Sequence, residues 1–223
     1  MRKLRGFTLI EVGIAAAILA SLVALSITAM RGIRQRNAYA AATGDVIGAL
    51  RLARAEAFGR GQSVYFIVDT NIGTSPDRPR WWVLLDNGGN FDINLWDPEN
   101  PTSLGDRILS RGSLPTGVTV GVVAGYPKQL AAPYQLIPAA TGTTPAATPP
   151  QCSFCLTGGA KTNFGWVRFA PGAAPAATFS GATASTFGQE LTLLFNNGAT
   201  SRMMVVAVLA RSGAISSSEQ VSP

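Results

Sequence analysis

Residues 6 to 30, GFTLIEVGIAAAILASLVALSITAM, decide how the rest of the chain reads. A short basic leader, Met1 to Arg5, runs into Gly6. From Phe7 to Met30 the sequence is apolar apart from small hydroxyl residues and one acid, Glu11. As a helix, those 24 residues extend about 36 Å, enough to cross a bilayer. A secretory signal has a shorter apolar core followed by a small-residue cleavage site. Small residues abound here, so cleavage further along stays open on this reading, yet the helical pattern does not stop where a signal would. A carboxylate inside an apolar span is costly and is usually retained for a purpose.

Downstream the helical pattern continues. Proline is absent from Met1 to Ser75. Val46, Leu50, Ala53 and Ala57 recur at i, i+4, i+7 and i+11, with Asp45, Arg51 and Glu56 between them. This predicts one helix from about Phe7 to Phe58, roughly 75–80 Å long. Its first part, 7–30, is apolar all round and reads as a membrane span. Its second part, 31–58, is amphipathic and should pack on a domain. Gly44 and Gly48 weaken it a little, and Gly59 and Gly61 are placed to end it.

The net charge of +6 is unevenly placed. Arg2, Lys3 and Arg5 lie in the leader, and without them 15 cations face 12 acids. The basic balance is therefore in part a targeting signal that holds the N-terminus on the cytoplasmic side, and is not evidence of a nucleic-acid surface. The chain has no histidine, which excludes a Ser-His-Asp triad, a Cys-His pair, an H-E-x-x-H zinc site and a histidine general base. The reading is non-enzymatic, with no cofactor.

After Gly61 the period changes. With 24 glycines and 14 prolines in 223 residues, residues 59–223 read as a β-rich domain, giving an α+β fold. Strands are expected at Ser63–Asp69, Arg80–Leu85, Val118–Val123, Trp166–Ala170, Leu191–Phe195 and Met203–Ala210, with 104–109 strand or loop. Asp86-Asn87-Gly88-Gly89-Asn90 is a strong turn signal, and Asn196-Asn197-Gly198 should join the last two strands. Met203–Ala210 is apolar on both faces and belongs in the middle of the domain. Tyr126 to Gly159 reads as a long exposed loop or insertion, Pro171 to Ser185 as a second loop, and the last ten residues as polar and frayed.

Three residue groups in this domain admit more than one reading. Cys152 and Cys155 form a C-x-x-C in a Pro/Thr/Gly loop, where a local disulfide, free thiols or a redox motif are the alternatives. Asp86, Asn90, Asp92, Asn94 and Asp97 follow an EF-hand-like count, but Phe91 stands where glycine is needed. A turn explains Asn-Gly-Gly without calcium. Trp81, Trp82, Trp96 and Trp166 read as packing rather than a binding platform.

Gly6-Phe7-Thr8-Leu9-Ile10-Glu11 behind a basic leader resembles the prepilin signal of type IV pilins and type II secretion pseudopilins. The rest is similar to the GspH/FimT-type minor subunits. Leu50 to Ala57 with Val64 opening a strand resembles their helix-to-sheet junction. The stretch Trp81 to Asp92, the late strand pair and Ala210-Arg211-Ser212-Gly213 are also similar. Thr28 stands where many major pilins carry a proline. The resemblance implies a leader of residues 1–6, cleavage between Gly6 and Phe7 by a prepilin peptidase, N-methylation of Phe7, and a helix that bundles in a filament core. It implies two antiparallel sheets against the helix and an inner-membrane, single-pass precursor with its domain in the periplasm, later at the cell surface. Its implied partners are other major and minor pilins or pseudopilins, the peptidase, an assembly ATPase and an inner-membrane platform.

In that setting Glu11 has a partner. Cleavage frees the amine of Phe7 one helical turn away, in the same or a neighbouring subunit. Pairing relieves a carboxylate whose burial in hydrocarbon costs on the order of several kcal/mol. The plainer alternative is a polar residue at the membrane interface. Gly6 supplies the small residue that the peptidase must fit, or else a flexible joint. Arg202 and Arg211 flank the last apolar strand, where a basic strip could touch DNA phosphates, since FimT-like subunits are associated with DNA uptake. A solvated strand end is the commoner meaning of two arginines. The expected function is a structural subunit of a type IV pilus, with a type II secretion pseudopilin or a DNA-binding pilin as alternatives.

Overall fold

The amphipathic stripe read from the sequence is the face on which the domain is built. In a computed structural model of the chain, residues 9–71, 80–115, 117–121, 152–156, 158–172, 177–180, 188–196 and 201–221 are described. One helix, α1 (Leu9–Arg60), runs unbroken through both the apolar and the amphipathic parts. Val46, Leu50, Ala53 and Ala57 are all buried, and Ala53 and Ala57 have no exposed surface. Small side chains at these positions bring the helix backbone close to the sheet. Arg60 closes the helix, and Gly61 follows at a φ of +68°, its N–H donating to Ala57 O at 3.1 Å. That is the left-handed C-terminal cap that glycine adopts without strain. Gly59, also expected to help end the helix, lies inside it.

The strands are β1 (Val64–Asp69), β2 (Trp81–Leu85), β3 (Arg107–Gly112), β4 (Val118–Val120), β5 (Phe164–Phe169), β6 (Ala177–Phe179), β7 (Gly188–Asn196), β8 (Ser201–Leu209) and β9 (Ile215–Val221). They form two antiparallel sheets, a five-stranded one in the order β3-β2-β1-β5-β6 and a four-stranded one in the order β4-β7-β8-β9. The α+β fold with two small sheets is thus the fold of this chain.

The larger sheet is covered on both faces, which explains why β1 and β2 are buried at every position. Val64, Phe66 and Val68 alternate onto the inner face with Trp81, Val83 and Leu85, packing with Leu50, Ala53 and Ala57 of α1. Leu191, Leu193, Val206 and Val208 of the smaller sheet join the same core. Tyr65 and Ile67 point the other way and meet Trp82, Leu84, Ile93 and Trp96. A third cluster, Tyr39, Ala42, Val118 and Phe195, extends contact along the helix.

Residues 86–106 supply the cover of that outer face. The Asn87-Gly88-Gly89 bend is present, but β2 and β3 are not a tight hairpin. The chain first crosses the sheet, placing Ile93 and Trp96 over Trp82, and returns to pair β3 with β2. Trp96 donates its indole N–H to Pro101 O at 3.2 Å, and Lys161 Nζ donates to Trp96 O at 2.6 Å, which pins this cover from two sides.

Three further expectations change. The C-terminal residues read as frayed form β9, an edge strand paired to β8 from Arg202↔Val221 to Val208↔Ile215. The loop expected over 171–185 contains β6. The segment expected as a loose loop to Gly159 ends in an ordered clasp at 152–156. Residues 126–151 and 157 of it, residues 122–123 of the expected strand 118–123, and the Asn197-Gly198 turn lie outside the described residues. β8 lies inside its sheet, between β7 and β9, as its apolar sequence implies.

Candidate functional site

Among the described residues, the apolar side chains of the N-terminal part of α1 have nothing packed on them. Leu9–Ser26 is long and apolar enough to cross a membrane, and none of it is buried in the domain. Leu9, Ile10, Ile14, Ile18, Leu22 and Leu25 are all exposed. Its hydroxyls do not need water. Ser21 Oγ donates to Ala17 O and Ile18 O at 3.1 and 2.8 Å, and Ser26 Oγ to Leu22 O at 2.8 Å. Back-bonding of this kind lets serine sit in an apolar medium. The span is compatible with a single-pass membrane anchor.

Glu11 lies in the first turn of the described helix, the one acid of this apolar half. Burial on the domain begins only near Tyr39, about 42 Å further along at ~1.5 Å per residue. Glu11 therefore contributes nothing to the packing of the domain. Gly6 and Phe7, the cleavage and methylation residues of the sequence reading, lie outside the described residues.

In the domain, Cys152 and Cys155 are joined in a disulfide, S–S 2.05 Å, so the pair is neither free nor reduced here. The bonded turn ties the two sheets together. Cys152 bridges Leu191 of β7, and Cys155 bridges Gly165 of β5. Ser153 N donates to Glu190 O at 2.9 Å, Leu156 N to Phe164 O at 2.8 Å, and Ser180 Oγ to Phe154 O at 2.6 Å. The Phe154 ring between them is buried in the main core.

The acidic residues of the EF-hand-like count do not converge. Asp86 Oδ1 accepts from Asn90 N at 3.2 Å, Asp92 Oδ1 from Asn94 N and Nδ2 at 2.9 and 3.0 Å, and Asp97 Oδ1 from Glu99 N at 3.0 Å. Each acid caps its own local turn. Among the described residues no three acidic, histidine or cysteine side chains gather as a metal cluster.

One of these acids, Asp86, lies near a further acid, Asp106. Asp106, 4% exposed, has neither carboxylate oxygen in hydrogen-bond geometry with a partner among the described residues. Burial pushes its carboxyl above the usual range, and the Asp86 charge adds to the rise. The Asn87 backbone N–H, outside hydrogen-bond geometry, pulls the other way. Tyr65 is pushed up as well, by burial first, then by Asp86 and Asp106 against the opposing pull of Arg168. Asp106 carried no signal in the sequence, being one acid before a strand.

Arg202 and Arg211 do not form one basic strip. They lie at opposite ends of β8, which separates Arg202 from Leu209 by roughly 23 Å at ~3.3 Å per residue. Arg202 Nη1 is 3.2 Å from Glu219 Oε1 on β9, whereas Arg211 is exposed in the following turn.

Of the four tryptophans, Trp81, Trp82 and Trp96 are buried packing. Trp166 differs. It is half-buried at a hollow on the outer face of the larger sheet, together with Tyr65 and Phe91. Sequence reading missed this hollow, because its walls come from segments far apart in the chain.

No family model, no curated protein and no solved structure matches this chain.

Proposed function

We propose that this chain is a minor pilin, a structural subunit of a type IV pilus. The observation that carries the reading is the combination of the Gly6-Phe7-Thr8-Leu9-Ile10-Glu11 signal with a 52-residue helix whose apolar half stands free of the domain. A secretory signal alone would not be the first half of the helix on which the domain is built.

In this reading the leader cations hold Met1 to Gly6 in the cytoplasm while α1 spans the inner membrane and the domain sits in the periplasm. A prepilin peptidase cuts after Gly6, and Phe7 is N-methylated. The apolar half of α1 then leaves lipid for a bundle of like helices, driven by an assembly ATPase and a membrane platform. Little is lost in that transfer, since the surroundings stay apolar and the gain comes from close packing. Gly13, Ala15, Ala16, Ala17 and Ala20 keep parts of the helix thin enough for close approach. Glu11 pairs with the Phe7 amine of a neighbour, which fixes the axial register. The role is non-enzymatic.

The test is chemical. The protein purified from cells should begin at Phe7 and carry the mass of one added methyl group. In cells lacking the prepilin peptidase it should retain Met1 to Gly6. A mature chain beginning elsewhere would overturn the reading. Loss of twitching motility on deletion, with enzyme secretion intact, is the expected phenotype of a pilus subunit; the reverse would make it a secretion pseudopilin.

A further inference from the structure

The hollow on the outer face of the larger sheet has a volume of about 550 Å³, within the range of small-molecule sites. Its aromatic part is fixed by ring contacts. The Tyr65 and Phe91 centroids lie 4.1 Å apart at 33°, and Trp166 meets Tyr65 edge-on at 5.5 Å and 71°. Its polar part is Asp92, Asn94 and Ser180. Ser180 Oγ is already engaged, donating to Phe154 O and accepting from Trp166 N. That leaves the exposed Asp92 and Asn94 as the groups open to a ligand. Asp92 Oδ1 is held by Asn94, which orients the carboxylate, and Asp92 Oδ2 has no donor among the described residues.

We propose that this hollow binds a neutral oligosaccharide. A sugar ring offers an apolar face of C–H groups, which lies on aromatic rings, and an edge of hydroxyls, which donate to a carboxylate and an amide oxygen. An aliphatic or lipid ligand would strip water from Asp92 without replacing its hydrogen bonds. A nucleic acid would stack equally well but would set its phosphates against the Asp92 charge. A quaternary ammonium needs ring faces turned toward one centre. Here Phe91 stacks on the buried Tyr65 and Trp166 stands at 71° to Tyr65, which leaves the half-buried Phe91 and Trp166 as the aromatic surface rather than a set of facing walls. The same carboxylate disfavours acidic glycans. The proposal stands apart from the filament role, since it uses only the domain.

The experiment uses the full chain in a detergent without sugar headgroups. Maltotriose, cellotriose and the trimer of N-acetylglucosamine are titrated, and binding is read by saturation-transfer NMR and by tryptophan fluorescence. At least one should bind saturably, with choline and a uronic-acid trimer inactive. Trp166→Ala should abolish binding. Asp92→Asn, an exposed change that keeps the local turn, should weaken it roughly tenfold. If Trp166→Ala loses tertiary structure, Asp92→Asn and Asn94→Ala carry the test. Absence of saturable binding by all three trimers up to about 20 mM would overturn the proposal. So would binding unchanged in both exposed variants, or saturable binding of choline alone.

Discussion

Gly165 on β5 lies so close to Cys155 that a Cβ there would stand 2.7 Å from Sγ and 3.0 Å from Cys155 Cα. The same atom would be 2.8 Å from Phe154 Cδ2. This is the contact by which the disulfide turn seats on the larger sheet while Cys152 bridges the smaller one. A methyl group cannot enter without moving the clasp, since one of the opposing atoms is backbone. Gly165→Ala should therefore destabilise the domain by about 1–3 kcal/mol, the usual cost of overpacking. Gly158→Ala, a few residues away with nothing within 4 Å, should change stability by less than ~0.5 kcal/mol. Urea unfolding of the two variants, followed by tryptophan fluorescence, compares them directly. Equal stabilities would mean that the clasp is not seated as described.

The disulfide closes a short loop, with a sequence separation of 3. Chain entropy alone assigns such a loop about 2 kcal/mol. For a domain of this size that is a fall of roughly 4–8 °C in Tm. The double variant Cys152→Ser and Cys155→Ser should show it. Adding reductant to the wild-type protein should reproduce the fall, and adding it to the variant should do nothing. A reductant effect on the variant would locate the sensitivity elsewhere.

The helix face and the helix back should respond differently. Leu50 is buried among strands of both sheets, while its neighbour Arg51 is exposed. Leu50→Ala removes core methyl groups and should cost about 2–5 kcal/mol. Arg51→Ala should stay within ~0.5 kcal/mol. Chemical denaturation of the full chain in detergent separates the two, and a large loss from Arg51→Ala would contradict the assigned face.

Asp106 gives a pH prediction whose sign is opposite to that of a salt-bridged acid. Burial first, and then Asp86, raise its folded pKa above the unfolded value. The folded state therefore holds the proton more tightly than the unfolded state. Its contribution is fully favourable below the unfolded carboxylate pKa of about 3.9. It is lost as pH rises from there through the raised folded pKa. At neutral pH the buried carboxylate opposes folding. Asp106→Asn, a neutral mimic of the protonated acid, should raise Tm at pH 7, and the gain should shrink to nothing near pH 3. Tm measured for both proteins across that window decides it, and a variant less stable at pH 7 would show that the ionised carboxylate is required.

The helix was legible in the sequence because burial on one face leaves a 3.6-residue period, and Val46, Leu50, Ala53 and Ala57 carry it plainly. β1, β2 and β8 were legible for the opposite reason, being apolar runs buried on both sides. β9 was not. ISSSEQV has one apolar residue at each end, and an edge strand paired on one side needs no more. β6 is three residues, ATF, among small ones, too short to show a period. The Asn87-Gly88-Gly89 bend was legible too, but the tight hairpin it suggests does not form, because the chain first places Ile93 and Trp96 over the outer face. The disulfide stood among the alternatives, whereas its place between the sheets depends on Leu191 and Gly165, which no local pattern connects to it. The hollow at Tyr65, Phe91 and Trp166 exists only once three distant segments meet.

Glu11 is the residue whose effect should be confined to assembly. It lies about 42 Å along the helix from Tyr39, the first residue buried on the domain among the described ones, so its removal should leave the Tm of the domain unchanged. It also lies five residues past Gly6, so cleavage after Gly6 should proceed in Glu11→Ala. What should fail is the step in which the Phe7 amine of one subunit meets a carboxylate in an apolar surround. An amine left alone there costs on the order of several kcal/mol, enough to exclude the subunit from a filament by a hundredfold or more. The expected result is a mature, methylated, membrane-bound protein that is missing from sheared pili. Glu11→Gln, which keeps the shape but not the charge, should behave like Glu11→Ala, whereas Glu11→Asp should recover part of the incorporation. Normal incorporation of Glu11→Gln would separate the filament role from charge pairing and leave the acid as an interface residue.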